Sequence, residues 1–356
     1  MPLQWNWLRK RCRDAVSYRL RTWGDGRWAS YCRPTWISFL ITERCNARCV
    51  HCNIWQNRGP EDSPTFEQWC AALLDLRRWL GPMHVCITGG EALLKPFTPE
   101  LVAYGSSLGA FVEVLTHGYW KDQSRIERLA LANPWRITVS LDGVDETHDE
   151  VRGREGFVRY TRKTLETLLA LRRARRLRFS IRLKTVVMAR NLHALEELAE
   201  FATQDGVDIL FQPIERNYNS PDDPHWYLHS ANWPQDPAAA VRSIERLIEL
   251  KRDGRAIANT VAELRVMQSY FLDPEGWQVS VKTHTSHERR AACTALNLFQ
   301  AQSNGDVRVC CCRDPVGNIK TARPRDIWRN RPHWWADGCC MDSRMSTAEK
   351  EHRLVT

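Results

Sequence analysis

Three cysteines stand within eight residues of the stretch "TERCNARCVHCNIW" (42–55): Cys45, Cys49 and Cys52, spaced C-x-x-x-C-x-x-C. Three thiolates from one loop can hold a metal while leaving a coordination position open. Zinc ordinarily takes four ligands from paired C-x-x-C or C/H spacings. His51 is a candidate fourth ligand, but it directly precedes Cys52, so both would have to reach one ion from adjacent residues. An iron–sulfur cube on three cysteines, with one iron left for a non-protein ligand, suits the spacing better.

A second crowd of thiols lies near the end of the chain: Cys293, Cys310, Cys311, Cys312, Cys339 and Cys340. Thirteen cysteines in all, an odd number in a long chain without an export signal, point away from a disulfide framework and toward metal ligation. Adjacent residues of an extended segment face opposite ways, so Cys310 and Cys312 can serve one site while Cys311 turns away. The same reasoning keeps Cys339 and Cys340 from binding one cluster together. Cys12, Cys32, Cys70 and Cys86 read as ordinary buried small residues.

The elements that must position these groups alternate in type from residue 36 onward. Strands are predicted at 36–41, 84–88, 111–116, 136–141, 179–187 and 207–213, each a short β-branched or aromatic run. Helical patterns fill the intervals. Six βα units in series imply an α/β fold with a parallel sheet and outer helices, closed or partly closed as a TIM-like barrel. Polar motifs follow the strands in turn: the thiols after the first, "GGE" (89–91) after the second, "THG" (116–118) at the third and "DG" (142–143) at the fourth. Lys184 lies within the fifth strand and Gln212 ends the sixth. All would converge on the C-terminal rim, where barrels of this kind do chemistry. Residues 215–236 read as a loop or lid, 237–272 as two helices, and the section from Cys293 as short strands with the cysteine cluster.

Composition narrows the class. The chain has 356 residues, 43% of them hydrophobic, and a net charge of +9. It has no run of eighteen apolar residues and no apolar signal core at "MPLQWNWLRKRCRD", so a cytoplasmic protein is expected. The arginine run 172–178 is better explained as the cationic end of a helix than as a nucleic-acid patch, so nucleic acid is not the expected partner. Residues 4–23 form a Trp- and Arg-rich helix, expected to pack across the barrel, with contact to a membrane surface as the less favoured alternative.

Cys45, Cys49 and Cys52 after a first barrel strand resemble the signature of the radical S-adenosylmethionine (radical SAM) superfamily. The resemblance implies a partial (β/α)6 barrel and a [4Fe–4S] cluster whose open iron is chelated by SAM. It also implies reductive cleavage of SAM to methionine and a 5′-deoxyadenosyl radical that takes hydrogen from substrate. His51 stands at the family's aromatic-type position before the third cysteine. "TGGE" resembles the family's glycine-rich strand end, which would bring Gly89, Gly90 and Glu91 to the methionine amino group. "SLDGVDETHDEVRG" resembles the fourth-strand segment of peptide-modifying members. By that match Ser140 would contact the ribose or carboxylate and Arg152 the methionine carboxylate, with Lys184 a weaker candidate for the same group.

The last section resembles the SPASM and twitch auxiliary-cluster modules: Cys293, eleven residues, Gly305, four residues, Cys310, then "GNI" (317–319) and "IW" (327–328). Later C-x-x-C groups of the full pattern are absent, so one auxiliary [4Fe–4S] cluster is expected, held by Cys293, Cys310, Cys339 or Cys340, and Cys312. A spare thiol such as Cys311 is a candidate hydrogen donor to a substrate radical. The implied division is a basic helical extension (1–35), the barrel (36–214), a loop and helical connection (215–292), the auxiliary module (293–345) and a tail (346–356). The barrel is expected to form a core of its own.

The expected activity is oxidation, cross-linking or epimerisation at an unactivated carbon, with a ribosomally made peptide as substrate and a donor such as flavodoxin or ferredoxin supplying the electron. A dehydrogenase or epimerase of a small molecule such as a sugar or aminoglycoside is the alternative, because 35 residues before the first strand are too few for a fused winged helix. A non-catalytic iron–sulfur or zinc protein that binds nucleic acid has no use for the "GGE" and "SLDG" segments. Radical modification of RNA would bring the arginine run into use.

Overall fold

The computed structural model describes residues 3–23, 26–217, 220, 223, 225–274, 290, 293–310 and 313–333. Six strands form where the sequence places them: β1 (Trp36–Leu40), β2 (His84–Thr88), β3 (Phe111–Thr116), β4 (Arg136–Ser140), β5 (Ser180–Val187) and β6 (Asp208–Pro213). Each pairs in parallel with the next. Parallel strands need long crossovers, and helices supply them.

The helices are α1 (Leu3–Thr22), α2 (Phe66–Leu80), α3 (Thr98–Ser107), α4 (Ser124–Leu131), α5 (Glu146–Arg152) and α6 (Phe157–Ala174). Further along come α7 (Leu195–Gln204), α8 (Trp226–His229), α9 (Pro237–Arg252), α10 (Val261–Leu272) and α11 (Pro324–Arg329). α2 shows how local sequence sets these elements. A Thr65–Gln68 capping box starts it, Trp69, Ala72, Leu73, Leu76 and Leu80 bury one face, and Gly81 at φ 72° ends it. The arginine run begins in the last turn of α6, as expected.

Alternation along the strands divides them between two environments. On β5, Ile181, Leu183, Thr185 and Val187 are buried, while Lys184 and its alternate neighbours are less so and take the other face. α1 lies across the N-terminal ends of the strands. Arg13 Nη1 donates to Leu80 O (3.0 Å) and Pro82 O (2.7 Å), and Trp7 packs on Phe111 and Trp135. Packing across the barrel is thus what the helix does. Cys12 on it is exposed, which corrects its reading as a buried residue.

The expectation of a separate barrel core does not hold. β7 (Leu298–Ala301) pairs in parallel with β1, and β8 (Val307–Arg308) pairs antiparallel with β7. Among the described residues the strands make one sheet in the order β6-β5-β4-β3-β2-β1-β7-β8. Cys293, Leu296, Phe299, Val309, Cys310 and Trp328 share one apolar cluster with the barrel's strands and outer helices. The physical reason is β1's outer edge, whose unpaired backbone groups β7 satisfies. Cys32 joins in: its carbonyl accepts from Trp328 Nε1 at 2.8 Å and its thiol donates to Leu296 O at 3.0 Å. Among the described residues no helix is long and apolar enough to cross a membrane.

Candidate active site

The loop after β1 that carries Cys45, Cys49 and Cys52 is held by backbone bonds from two distant segments. Gly90 N donates to Thr42 O (2.8 Å) and Glu91 N to Arg44 O (2.9 Å). From the other side, Arg48 N donates to Arg152 O and Val50 N to Val151 O, both at 3.0 Å, so the C-terminal carbonyls of α5 carry the loop. Asn232 Nδ2 adds a bond to Val50 O at 2.9 Å, which gives part of the 215–236 segment a definite support role. A Cβ on Gly90 would collide with Arg44 O, and one on Gly153 (φ 66°) with Arg48 O. Glycine is needed there for close backbone approach to the thiol loop.

A cavity of about 250 Å³ opens over this loop. Its lining includes all three thiols together with His51, Gly89, Gly90, Glu91, Ser140 and Arg152. With Thr116 and His117 also in the lining, the ends of β1, β2, β3 and β4 all contribute, and the rim converges as barrel geometry requires. Lys184 is not in that lining. It is the register partner of Ser140 on the neighbouring strand, in electrostatic reach of Cys86, Glu215 and Glu113, and burial pushes its ammonium pKa down. Cys293 and Cys310 are buried in the last section. Cys311, Cys312, Cys339 and Cys340 lie outside the described residues.

Two buried polar groups organise the cavity walls. Arg152 Nη2 lies 2.6 Å from Asp142 Oδ2, and its Nη1 lies 3.6 Å from Cys49 Sγ. Burial alone would raise the Asp142 carboxyl, but Arg152 and His148 outweigh it and hold it well below the usual range. The second group is Glu91, which accepts from Leu93 N (3.1 Å), Thr116 Oγ1 (2.9 Å) and His117 N (2.8 Å). Burial nevertheless raises its pKa to about 7. His117 Nδ1 accepts from Tyr119 N, which leaves the proton on Nε2, 2.7 Å from Asn46 Oδ1. Burial and Arg152 keep this imidazole neutral. The sequence motifs "THG" and "DG" stand at the right strand ends, but by themselves they do not single out His117 and Asp142 as site residues.

The donor set suits an iron–sulfur cluster with a polar ligand beside it. Burial pushes the Cys45 thiol up to about 12, and raises Cys49 and Cys52 as well. Thiols so placed ionise against a metal's charge, not against water. Three further donors or acceptors of the cavity lining, His51 Nδ1, Trp55 Nε1 and Arg152 Nε, are buried with no partner among the described residues. Buried polar atoms are nearly always paired, so these mark where a polar ligand would be met. Burial also lowers His51 to about 4, so it meets that ligand uncharged. Among the described residues no three His, Cys, Asp or Glu side chains close on a single-ion site. A cube differs in taking its thiolates on separate irons.

Comparison with known proteins agrees with this geometry. Residues 39–202 match the family model described as the Radical SAM superfamily. Just under half of the chain is thus a radical SAM domain. The protein is accordingly a radical SAM enzyme, and its cofactors are a [4Fe–4S] cluster and S-adenosylmethionine. An AdoMet-dependent heme synthase of Methanosarcina barkeri is 27% identical over 307 residues, 83% of this chain and 82% of that protein. The sporulation killing factor maturation protein SkfB of Bacillus subtilis is 32% identical over 136 residues, 38% of this chain and 33% of SkfB. The crystal structure of Streptococcus suis SuiB bound to precursor peptide SuiA superposes with a TM-score of 0.63 at 16% identity. That match covers 86% of this chain and 66% of SuiB, so this radical SAM chain spans only part of two of these relatives.

Proposed function

We propose that this radical SAM enzyme modifies a ribosomally made peptide at an unactivated carbon. In this reading Cys45, Cys49 and Cys52 hold the cluster. Arg152 Nε, His51, Ser140 and the Gly89–Glu91 turn receive SAM. Bound there, the two cofactors would supply one-electron reductive chemistry and hydrogen abstraction from the substrate. The protein's own part is positioning: Asp142 orients Arg152, and the Glu91–His117 pair fixes the end of β3 beside the thiol loop. Cys293 and Cys310, with Cys312 and Cys339 or Cys340, are proposed to hold one auxiliary cluster, and flavodoxin or ferredoxin to supply the electron. The domain limits 36–214 and 293–345 are kept as functional units of one continuous sheet. A cytoplasmic setting, where thiols stay reduced, belongs to the same proposal.

The observation that carries the substrate class is an open polar groove of about 1000 Å³. It runs between residues 56–62, Arg216, Asn217 and Ser220, and the β7–β8 hairpin, and is lined by Arg58 and Arg308 as well as Glu43, Glu61 and Asp306. Asn57 and Arg58 also line a neighbouring pocket that contains Cys45, so the groove leads to the thiol loop. A long groove with both charge signs suits an extended chain better than a sugar, which enclosed pockets bury. The peptide bound to SuiB and the maturation role in SkfB's name support the same class.

A second reading is a tetrapyrrole substrate. It is favoured by the heme synthase match, which spans most of both chains, and by the three groove arginines, suited to carboxylates. The test is single: reduced holoenzyme with SAM is given either a small peptide encoded beside its gene or Fe-coproporphyrin III. A mass change in the peptide supports the first reading. A change in the porphyrin alone replaces it with the second.

A further inference from the structure

We propose that α1 seats this enzyme on an anionic membrane surface, with the active-site rim turned away from the bilayer. The proposal goes beyond the substrate question and does not depend on it.

The starting point is a helix with two apolar sides. The side of α1 that meets the barrel combines polar anchors with apolar contacts: Trp7 packs on Phe111 and Trp135, Leu20 meets the core, Asn6 is buried, Arg13 bonds two carbonyls, and Ser17 Oγ donates to Arg33 O at 2.7 Å. The opposite side carries Trp5, Leu8, Cys12, Val16 and Trp23, at spacings of three, four, four and seven residues. Those intervals place them on one stripe of a helix, about 27 Å long at 1.5 Å per residue. Trp23 continues the helical course, its N–H donating to Arg19 O at 2.9 Å. Trp5 is 59% exposed, Leu8 51%, Val16 58% and Trp23 70%. Single exposed apolar residues are common, but a soluble helix normally turns such a stripe inward. Trp28, Tyr31 and Trp36 are exposed too, in the segment that enters β1 at the same end of the barrel.

Charge selects the occupant. α1 carries Arg9, Lys10, Arg11, Arg13, Arg19 and Arg21 against a single acid, Asp14. Arg11 and Arg19 are solvent-exposed, and Arg19 lies between Val16 and Trp23 along the stripe. Two such helices face to face would repel, which disfavours a second copy of the chain. An RNA would use the cations but leave Leu8 and Val16 without a role. Aromatic and aliphatic residues flanked by cations are what an anionic lipid interface takes, the rings at headgroup depth and the arginines against the lipid charge. Because α1 crosses the N-terminal ends of the strands, the thiol cavity at their C-terminal ends stays open to substrate on the far side.

Cosedimentation of the anaerobic holoenzyme with vesicles tests this, using equimolar phosphatidylglycerol and phosphatidylcholine against phosphatidylcholine alone. The wild type should pellet with the anionic vesicles only, and less so at high salt. Trp5→Ser with Trp23→Ser, and separately Arg11→Glu with Arg19→Glu, should each weaken binding about tenfold or more. Neither pair should alter 5′-deoxyadenosine release without vesicles or the circular dichroism spectrum. Wild-type protein left in the supernatant overturns the proposal. So does loss of binding in the arginine pair with full binding in the tryptophan pair, which would mark charge attraction alone. A wild-type dimer that the tryptophan pair dissolves, with no vesicle binding, would hand the stripe to a second copy.

Discussion

Asp142 and Arg152 meet at 2.6 Å in the wall of the thiol cavity, and the same guanidinium reaches Cys49 at 3.6 Å. The fourth-strand motif, read alone, sends Arg152 to the methionine carboxylate. The fold engages two of its nitrogens within the protein and leaves Nε without a protein partner among the described residues. Arg152 therefore links the proposed ligand site to the thiol loop, its carbonyl bonding Arg48 and its side chain touching Cys49.

Arg152→Ala should weaken SAM binding by roughly 1.5–3 kcal/mol, the scale of a charge-assisted hydrogen bond. It should also cost stability, on the order of 3–5 kcal/mol, because Asp142 is left buried without its counter-charge. Asp142→Asn with Arg152→Ala removes that penalty, so the double variant should regain stability but not affinity. Equilibrium SAM binding and denaturant unfolding separate the two effects. Wild-type affinity in a folded Arg152→Ala protein would show that residue 152 does not reach SAM.

Replacing Cys45, Cys49 and Cys52 together by Ala should remove one cluster's worth of iron and sulfide and leave the auxiliary cluster. Iron and sulfide analysis after anaerobic reconstitution checks it. Unchanged iron, or zinc in its place, contradicts the assignment of these thiols.

Gly90→Ala should act like a mild version of that triple change. The new methyl collides with Arg44 O and must push the segment leading to Cys45. Cluster content should fall by up to one cluster while far-ultraviolet circular dichroism stays close to wild type. Full cluster occupancy in this variant would mean that the loop tolerates the displacement.

Glu91 predicts a pH dependence with a definite sign. Burial raises its pKa from 4.5 to about 7, against the pull of its three donors. A raised folded value means that the folded state holds the proton more tightly. This contribution is complete below 4.5 and is lost as pH rises through about 7. The melting temperature of the cluster-free protein should therefore fall across that interval. Glu91→Gln, which cannot ionise, should flatten the fall, and an equally steep slope in the variant would locate the titration elsewhere.

Deleting residues 293–356 should give insoluble protein. The truncation uncovers the edge of β1 and the apolar cluster shared with Leu296 and Phe299. Cys310→Ala is gentler and should keep 5′-deoxyadenosine formation, at a lowered melting temperature, while product formation from the added substrate stops. A soluble, SAM-cleaving truncation would show that the barrel needs no partner at β1.

The sequence by itself determined the order of the six βα units, the element boundaries to within a few residues and the thiol loop at the first strand end. Those features rest on local periodicity, caps and spacing, which a short window contains. It also brought Ser140 and "GGE" to the correct rim, because every parallel strand of such a barrel points the same way. Only the tertiary structure decided that α5 ends against the thiol loop, that Arg152 answers first to Asp142, and that β7 closes on β1. The first and the last join groups about a hundred or more residues apart, whose meeting follows from which edge and which carbonyls remain unsatisfied once the barrel has formed. The second joins near neighbours in sequence through the way the β4–α5 connection is buried. The outward stripe of α1 belongs with them. Its pattern is visible in the sequence, but which side faces the barrel was settled by the carbonyls of Leu80 and Pro82, which draw Arg13 inward and leave Trp5 and Trp23 outside.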